Sequence, residues 1–290
     1  MQRLGDPQDD KGYFTFVQNS PAVDYLNIAY LQGLSIKATQ GINKYAIAVD
    51  NETKELITNE HEEVFDYIIV MAEDDAHNEE WKLENEWKAW FLTPFKETIK
   101  LDSDILFTRN IDHWWKICQL KDVCCTSTVR DYEGCISTVD TFRKLHKLNN
   151  LPNLYSGFTY FRYTKFSRDF FIAVKDVFEN WPMFRDTLLK ECLHDKANTD
   201  EAYAIAAMLV GEEECYNPAL NIPTFAHMKG PINGWPDVDW TQYVYSQVDD
   251  NANLTVGFNR QAYPFHYVRK DFVTQERGLI EQYKRILEGN

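Results

Sequence analysis

Apolar and polar positions repeat along the first part of the chain with two different periods, which predict strands and helices in alternation. Short apolar runs at residues 13–17, 45–49 and 65–70 are rich in aromatic and β-branched side chains, as is typical of strands. Between the first two runs, apolar residues recur at helical spacing from Tyr25 to about Thr39. This alternation indicates an α/β sheet with parallel neighbours, in which ligands bind at the carboxyl ends of the strands.

The apolar and polar pattern of the rest of the chain also predicts alternating helices and strands, followed by an irregular C-terminal third. It predicts helices at 81–91, 140–149, 165–180, 202–210 and 272–287, and strands at 122–129 and 154–162. Turns and short strands dominate from Glu212 to the last helix. We find no internal repeat or linker, so residues 1–290 are predicted to form a single domain, with residues 1–12 as a flexible N-terminus.

Composition and charge narrow the class of protein. The chain has 45 acidic and 30 basic side chains, a net charge of −15, which disfavours binding to nucleic acid or to anionic membranes. The six cysteines show no CxxC spacing, and the adjacent Cys124 and Cys125 lie in an apolar run, as is typical of buried thiols in a reducing compartment. With a polar N-terminus and no apolar run long enough for a membrane span, we expect a soluble cytoplasmic protein. The compact build would also suit a phage-encoded enzyme.

One apolar stretch, residues 100–107, is interrupted by two carboxylates one residue apart. In an extended segment Asp102 and Asp104 point to the same face, while their apolar neighbours stay in the core. Hard oxygen ligands of this kind suit Mg²⁺ or Mn²⁺, which typically keep open positions for substrate phosphates. A polar turn at the end of a strand is the alternative interpretation.

Several stretches, in their order along the chain, resemble one enzyme family. They are residues 14–19, the block from Leu92 to Asp112 around Asp102 and Asp104, Tyr155-Ser156-Gly157-Phe158 with the later Thr199-Asp200-Glu201, and His227-Met228-Lys229-Gly230 ending at Trp235. This order resembles glycosyltransferase family 8, which includes glycogenin and the bacterial lipooligosaccharide galactosyltransferases.

The resemblance implies a fold and an activity. The fold would be of the GT-A type, a Rossmann-like mixed sheet flanked by helices. Residues 13–130 would form the nucleotide-sugar-binding half, and residues 131–290 the acceptor half with a C-terminal metal-ligand segment. The enzyme would move a sugar, with retention, from a nucleotide-sugar, by expectation a UDP-sugar, to a hydroxyl group. The acceptor is left open among a glycan, a protein, a small molecule and a modified DNA base.

The resemblance also implies site residues. Asp102, Asp104 and His227 would hold Mn²⁺ or Mg²⁺, with His266 as the alternative third ligand. Asp200 and Glu201 would be the catalytic pair on the acceptor side, although both acids also suit the first turn of a helix capped there.

Contacts to the nucleotide-sugar are expected from a larger set of residues. They are Gln18, Asn19, Lys82, Lys88, Ser156, Gly157, Lys229 and Gly230, with Arg260 or Arg269 as more remote cations. Three departures stand out: Asn233-Gly234 replaces Lys-Pro, Tyr155 replaces Asn, and Glu86 stands where the family often has a cation. Lys82 or Lys88 would then substitute for that cation.

Two rival classes use similar features. A metal-dependent nucleotidyltransferase can also place paired acids on such a sheet, but we see no glycine-rich loop with a basic residue after the first strand to hold a triphosphate. The other rival is a non-catalytic module that binds nucleotide or carbohydrate without turnover.

Overall fold

The computed structural model describes residues 5–77, 79, 82–137, 143–217, 219–229, 240–269 and 278–289. Its helices are α1 Tyr25–Thr39, α2 Asn51–Glu55, α3 Asn59–Glu62, α4 Ala89–Leu92, α5 His113–Cys118, α6 Lys144–Leu148, α7 Lys165–Glu179, α8 Trp181–Leu188, α9 Thr199–Val210 and α10 Leu279–Glu288. Three short 3₁₀ segments join them, at Leu83–Lys88, Glu212–Glu214 and Trp240–Gln242.

The strands form three sheets. The main-sheet strands are β1 Asp9–Val17, β2 Tyr45–Val49, β3 Tyr67–Val70, β4 Phe95–Leu101, β6 Val123–Thr126 and β9 Tyr155–Arg162, and the smaller sheets contain β5 Ile105–Leu106, β7 Val129–Arg130, β8 Ile136–Ser137, β10 Ala226–His227, β11 Ser246–Val248, β12 Leu254–Val256, β13 Asn259–Arg260 and β14 Phe265–His266. The main sheet has the order β3-β2-β1-β4-β9-β6. Its first four strands are parallel, whereas β9 is antiparallel to β4 and β6.

Helices cover both faces of the main sheet, and the core is divided between them. In β2, Tyr45, Ile47 and Val49 pack on the face covered by α1, while Ala46 and Ala48 pack on the face covered by α7 and α9. Because both faces are buried, this strand is a continuous apolar run, as is typical of parallel sheets. A mixed α/β sheet flanked by helices is therefore confirmed.

Several predicted boundaries differ in the structure. Strand β1 begins at Asp9 instead of residue 13, because its first residues pair with β4 and the absent side chain of Gly12 leaves room for the Phe95 ring. The predicted strand at 122–129 is two strands, β6 and β7. The predicted helix at 81–91 appears, from Leu83 onward, as a 3₁₀ segment followed by the single turn α4.

Two more predicted helices are only partly described. The helix predicted at 140–149 is described as α6, and the final helix predicted at 272–287 as α10; parts of both predictions lie outside the described residues. Among the helices that the structure describes, none has the length and apolar character needed to cross a bilayer.

Candidate metal site and substrate cleft

The segment containing Asp102 and Asp104 is a tight turn at the carboxyl end of β4. The Asp102 N–H donates to the carbonyl oxygen of Gly157 at 2.8 Å, and the Tyr267 N–H donates to the Asp104 carbonyl at 3.0 Å. From inside helix α1, the Gln32 side-chain amide donates to the carbonyl oxygens of Asp102 (2.7 Å) and Ile105 (2.9 Å). Hydrogen bonds from two neighbouring strands and one helix therefore fix the backbone of this turn.

The structure brings the carboxylates of Asp102 and Asp104 together with the imidazole of His266. One ligand atom from each residue lies within 4.8 Å of the others. The His266 Nε2 atom is 3.0 Å from Asp104 Oδ1 and 3.7 Å from Asp102 Oδ2. Metal–ligand bonds of about 2.0–2.6 Å allow ligands of one ion to lie up to about twice that distance apart, so the three groups can converge on a single divalent cation.

Sheet order explains why His266, the alternative ligand, is in this group and His227 is one strand away. Strand β14 pairs with β5, which places His266 opposite Ile105, next to Asp104. Strand β10 pairs with the far side of β14, which places His227 opposite His266. The two imidazole rings are 4.8 Å apart, and the His227 Nδ1 atom accepts a hydrogen bond from the Lys229 N–H at 2.8 Å. Burial and the neighbouring His266 hold the pKa of His227 well below its usual range.

Gly157 provides the space that the Asp102 carboxylate occupies. A Cβ atom at this position would lie 2.7 Å from Asp102 Oδ2 and 3.2 Å from its Cγ, closer than van der Waals contact permits. The Ser-Gly pair of β9 is thus a cradle for the metal-site carboxylate, which fits a role in cation binding.

Asp200, in the first turn of α9, has its carboxylate engaged by two hydrogen bonds and an ion pair. Its Oδ1 atom accepts from the N–H (2.8 Å) and the hydroxyl (2.9 Å) of Ser156, and its Oδ2 atom is 2.7 Å from Nη2 of Arg143. Burial alone would raise the pKa of Asp200, but the Arg143 charge and the Ser156 hydrogen bonds outweigh it and lower the pKa below its usual range. Asp200 is therefore ionised at neutral pH.

A second ion pair lies beneath the Asp102 carboxylate. The fully buried Lys100 ammonium pairs with Glu86 and lies 3.4 Å from Asp102 Oδ1. Burial would lower the pKa of Lys100, but the two carboxylates raise it. Burial is also the main reason that the pKa of Glu86 is raised to about 7. The cation facing Glu86 is thus Lys100.

A cleft of about 1030 Å³ lies at the carboxyl ends of β1 and β4. Nine of the residues expected from the sequence are among those that line it: Gln18, Lys82, Asp102, Asp104, Ser156, Gly157, Asp200, His227 and Lys229. The alternative ligand His266 also lines the cleft, together with Arg143, Tyr155, His194 and Lys196. The volume is in the range expected for small-molecule sites.

Two cleft residues are already held by other protein groups. The Gln18 amide donates to Asp74 at 2.9 Å and accepts from Asn85 at 2.7 Å. The Lys82 ammonium donates to the carbonyl oxygens of residues 76 and 77. The side chain of Lys229, by contrast, is exposed at the cleft.

Other residues expected in the site lie elsewhere. Asn19 organises the turn before α1, since its side-chain oxygen accepts from the Leu26 N–H at 2.8 Å. Lys88 is buried and donates to the Glu73 carbonyl and to Asn85. Glu201 is 2% exposed and is not among the residues that line the cleft; it completes the cap of α9 and pairs with His194 at 3.0 Å.

The remaining nucleotide-sugar contacts are outside the described residues or outside the cleft. Gly230, and with it Trp235 of the fourth stretch, lies outside the described residues. Arg260 and Arg269 are not among the residues that line the cleft, and the exposed Arg260 pairs with the Asn253 side chain.

Three residues of the site were missed by the sequence analysis. Gln32 and Lys100 are polar residues inside runs that are otherwise apolar. A polar residue in such a run indicates a buried side chain with a specific partner, so both residues could have been found from the sequence. Arg143 had no comparable signal, because its contacts to Asp200 and Tyr155 come from distant parts of the chain.

Comparisons with known proteins give likeness in structure alone. No family model matches the sequence, and the search of curated proteins finds no match. The structure is similar to that of the galactosyltransferase LgtC in complex with donor and acceptor sugar analogues, with 11% identity, a TM-score of 0.53 and coverage of 96% of this chain and 95% of LgtC.

Two further solved structures are similar at lower scores. Mouse xyloside xylosyltransferase 1 has 11% identity and a TM-score of 0.49, with coverage of 90% of this chain and 98% of that one. The Streptococcus pneumoniae glycosyltransferase GlyE has 10% identity and a TM-score of 0.44, with coverage of 73% and 46%. At the identity seen for LgtC, the likeness shows a shared fold: this chain has the GT-A fold, as the sequence predicts.

Proposed function

We propose that this protein is a metal-dependent glycosyltransferase that moves a sugar from a nucleotide-sugar, with UDP as the expected nucleotide, to a hydroxyl acceptor. The observation that carries the proposal is the convergence of Asp102, Asp104 and His266 in a cleft of about 1030 Å³ at the carboxyl ends of the parallel strands. In open α/β sheets this edge is where ligands bind.

The donor set fits Mn²⁺ or Mg²⁺. Carboxylate oxygens with one imidazole nitrogen suit these ions, and a three-residue shell would leave positions open for phosphate oxygens. When bound, such an ion stabilises negative charge on a departing diphosphate as a Lewis acid. His266 would be the third protein ligand. The ring of His227, which packs beside it, would support the ring of His266.

The remaining groups would bind and orient the sugar. Lys229, whose exposed side chain lines the cleft, would neutralise the departing diphosphate. Asp200 would accept hydrogen bonds from sugar hydroxyl groups. An ionised carboxylate with a lowered pKa, two hydrogen bonds and an ion pair of its own is a poor general base, because a general base works best with a pKa near the operating pH.

That property of Asp200 supports transfer with retention, as resemblance to family 8 implies. An inverting enzyme needs a carboxylate base within reach of the acceptor hydroxyl. Asp200 is engaged by Ser156 and Arg143, and Glu201 is buried and does not line the cleft. In a retaining transfer the acceptor approaches the face that the diphosphate leaves, and a departing phosphate oxygen takes the hydroxyl proton.

The test is a panel of nucleotide-sugars with Mn²⁺, in which release of the nucleoside diphosphate is measured with and without candidate acceptors. We expect at least one UDP-sugar to be hydrolysed or transferred by the wild type and by the surface control Asp169→Asn, but not by Asp102→Asn. Absence of metal-dependent turnover across the panel would refute the proposal. Release of pyrophosphate from a nucleoside triphosphate and a sugar phosphate would instead indicate a nucleotidyltransferase.

Product stereochemistry tests the retaining mechanism separately. Proton NMR of early product should show an α-linked sugar from an α-linked donor. A β-linked product would refute retention and leave the metal site and the fold unchanged.

A further inference from the structure

Arg143 is held in a single orientation by three different groups. Its Nη2 atom is 2.7 Å from Asp200 Oδ2, and its Nη1 atom is 3.1 Å from Nε2 of His146. The guanidinium lies 3.6 Å from the centre of the Tyr155 ring, a distance at which stacking and cation–π attraction both operate. Burial lowers the pKa of His146 to about 4, so at neutral pH its ring is uncharged and can accept from Arg143. A long side chain with only 7% exposure is thus immobilised at the wall of the cleft.

The Arg143–Asp200 pair lies beside the metal group along β9. Ser156 donates twice to Asp200, and the next residue, Gly157, accommodates the carboxylate of Asp102. The pair is therefore placed next to the position where a sugar joined to a metal-held diphosphate would lie. A guanidinium and a carboxylate together offer donors and an acceptor to hydroxyl groups of one ring.

We propose that Arg143 is a positioning residue, which keeps the Asp200 carboxylate ionised and aimed at the hydroxyl groups of the sugar substrate. The proposal rests on the glycosyltransferase function proposed above. It adds to that function a residue that orients Asp200 and that lies outside the sequence stretches resembling family 8. Without Arg143, Asp200 would remain partly buried, with the two Ser156 donors but without a counter-charge. Its carboxylate would then take up a proton more readily and lose its fixed geometry.

Other charged or titratable groups also face this pair, so the effect has to be isolated. His146 precedes β9, Tyr155 lies on β9 and His227 lies on β10. Glu201 lies at the start of α9, and its partner His194 lies in the segment before that helix. Only Arg143 among them places a permanent positive charge against the Asp200 carboxylate.

The first experiment measures Asp200 directly, without any need for turnover. Carboxyl-¹³C-labelled aspartate is followed by NMR between pH 3 and pH 8 in the wild type, with the Asp200 signal assigned by its absence in Asp200→Asn. In Arg143→Gln the titration of this signal should move upward by at least one pH unit, and in Arg143→Lys by less. The control Arg162→Gln, which breaks the arginine pair with Asp122 outside the cleft lining, should leave the signal unmoved. An unchanged Asp200 titration in folded Arg143→Gln would overturn the proposal.

The second experiment tests the consequence for the reaction, with the nucleotide-sugar found to be turned over in the panel. Misplacement of a substrate-orienting group costs up to about 100-fold in rate, so kcat/KM of Arg143→Gln should fall roughly 10- to 100-fold at pH 7 and fall further toward acid pH. The double variant with Asp200→Asn should be no slower than Asp200→Asn alone and should lack the new acid limb, because Arg143 acts through Asp200.

Losses that multiply in the double variant would show that Arg143 acts independently and would overturn the proposal. Binding of Mn²⁺ with UDP should be unchanged in Arg143→Gln, which separates positioning from general unfolding. If the wild type turns over no nucleotide-sugar, the proposed function fails, while the NMR titration still decides whether Arg143 controls Asp200.

Discussion

Replacing Gly157 by alanine should weaken the metal site without unfolding the protein. The added Cβ atom would lie 2.7 Å from Asp102 Oδ2, whereas ordinary contact begins at 3.4 Å. The carboxylate would therefore have to retreat by about 0.7 Å. Asp102 has room to do so, because its side chain is 33% exposed.

That retreat is large compared with the tolerance of a metal site. Ligand distances are held within about 0.2 Å of their preferred values, so Asp102 could no longer share an ion with Asp104 and His266 in the geometry described. Changes next to a metal ligand typically cost about 10- to 100-fold in affinity. We expect a loss of that size in Mn²⁺ affinity and a matching loss of turnover at low Mn²⁺.

The chain offers a matched control in Gly41. A Cβ atom there would lie 2.6 Å from the Asp112 carboxylate, so Gly41→Ala creates the same kind of clash away from the cleft. Both variants should lose similar thermal stability. Only Gly157→Ala should lose affinity when free Mn²⁺ is followed by electron paramagnetic resonance in the presence of UDP. Equal Mn²⁺ affinity in the two variants would refute the idea that Asp102 binds the ion from this position.

Three other predictions concern the same region. Asp102→Asn and Asp104→Asn should each reduce turnover to background while leaving the melting temperature within a few degrees of wild type. Excess chelator should likewise reduce turnover of the wild type to background. Activity of either variant, or activity in excess chelator, would exclude the metal site. His266→Ala should raise the Kd for Mn²⁺ in calorimetry at least tenfold, and His227→Ala by less, because His227 is one strand further away; the reverse order would move the third ligand to His227. Burial lowers the pKa of His146 to about 4 from 6.5, so as the pH falls the imidazole is protonated in the unfolded chain before it is protonated in the folded protein. The free energy of unfolding should therefore fall as the pH drops from 6.5 toward 4, by on the order of 3 kcal/mol. In His146→Gln, denaturant unfolding should lose that part of the acid dependence; an unchanged pH profile would contradict the assignment.

Local pattern was enough to predict the framework of the fold. The buried runs at 45–49 and 154–162 appear as β2 and β9 almost unchanged, because strands buried on both faces leave an unmistakable apolar signal. The Asp102–Asp104 pair was visible in the sequence because both residues lie in one short segment at a strand end. That segment is a turn, the alternative interpretation, instead of the extended segment expected. Boundaries shifted where a tertiary contact decided them, as at Asp9, which pairs with Phe95.

The complete site depends on contacts that sequence spacing does not carry. The order β5-β14-β10 places His266 beside Asp104 and His227 one strand further away, and that order follows from how distant segments pair. Arg143 reaches Asp200 across a long separation in the chain, and nothing in its neighbours marks it. For Glu201, by contrast, local sequence was sufficient. The alternative interpretation of this residue as an acid in the first turn of a capped helix matches its observed role in the cap of α9.

The pairing of β5 with β14 ties the middle of the chain to a segment close to its C-terminal end, and a cation held by Asp102, Asp104 and His266 would act there as a removable cross-link. Anything that binds the folded state alone stabilises it by an amount that grows with the logarithm of its concentration. Saturating Mn²⁺ should therefore slow hydrogen exchange at the Tyr267 amide, which donates to the Asp104 carbonyl, more than at amides of α7 on the far face of the main sheet. On this view the ion would hold the C-terminal segment against the rest of the domain. When the ion is removed by a chelator, proteases should cut that segment before the rest of the chain.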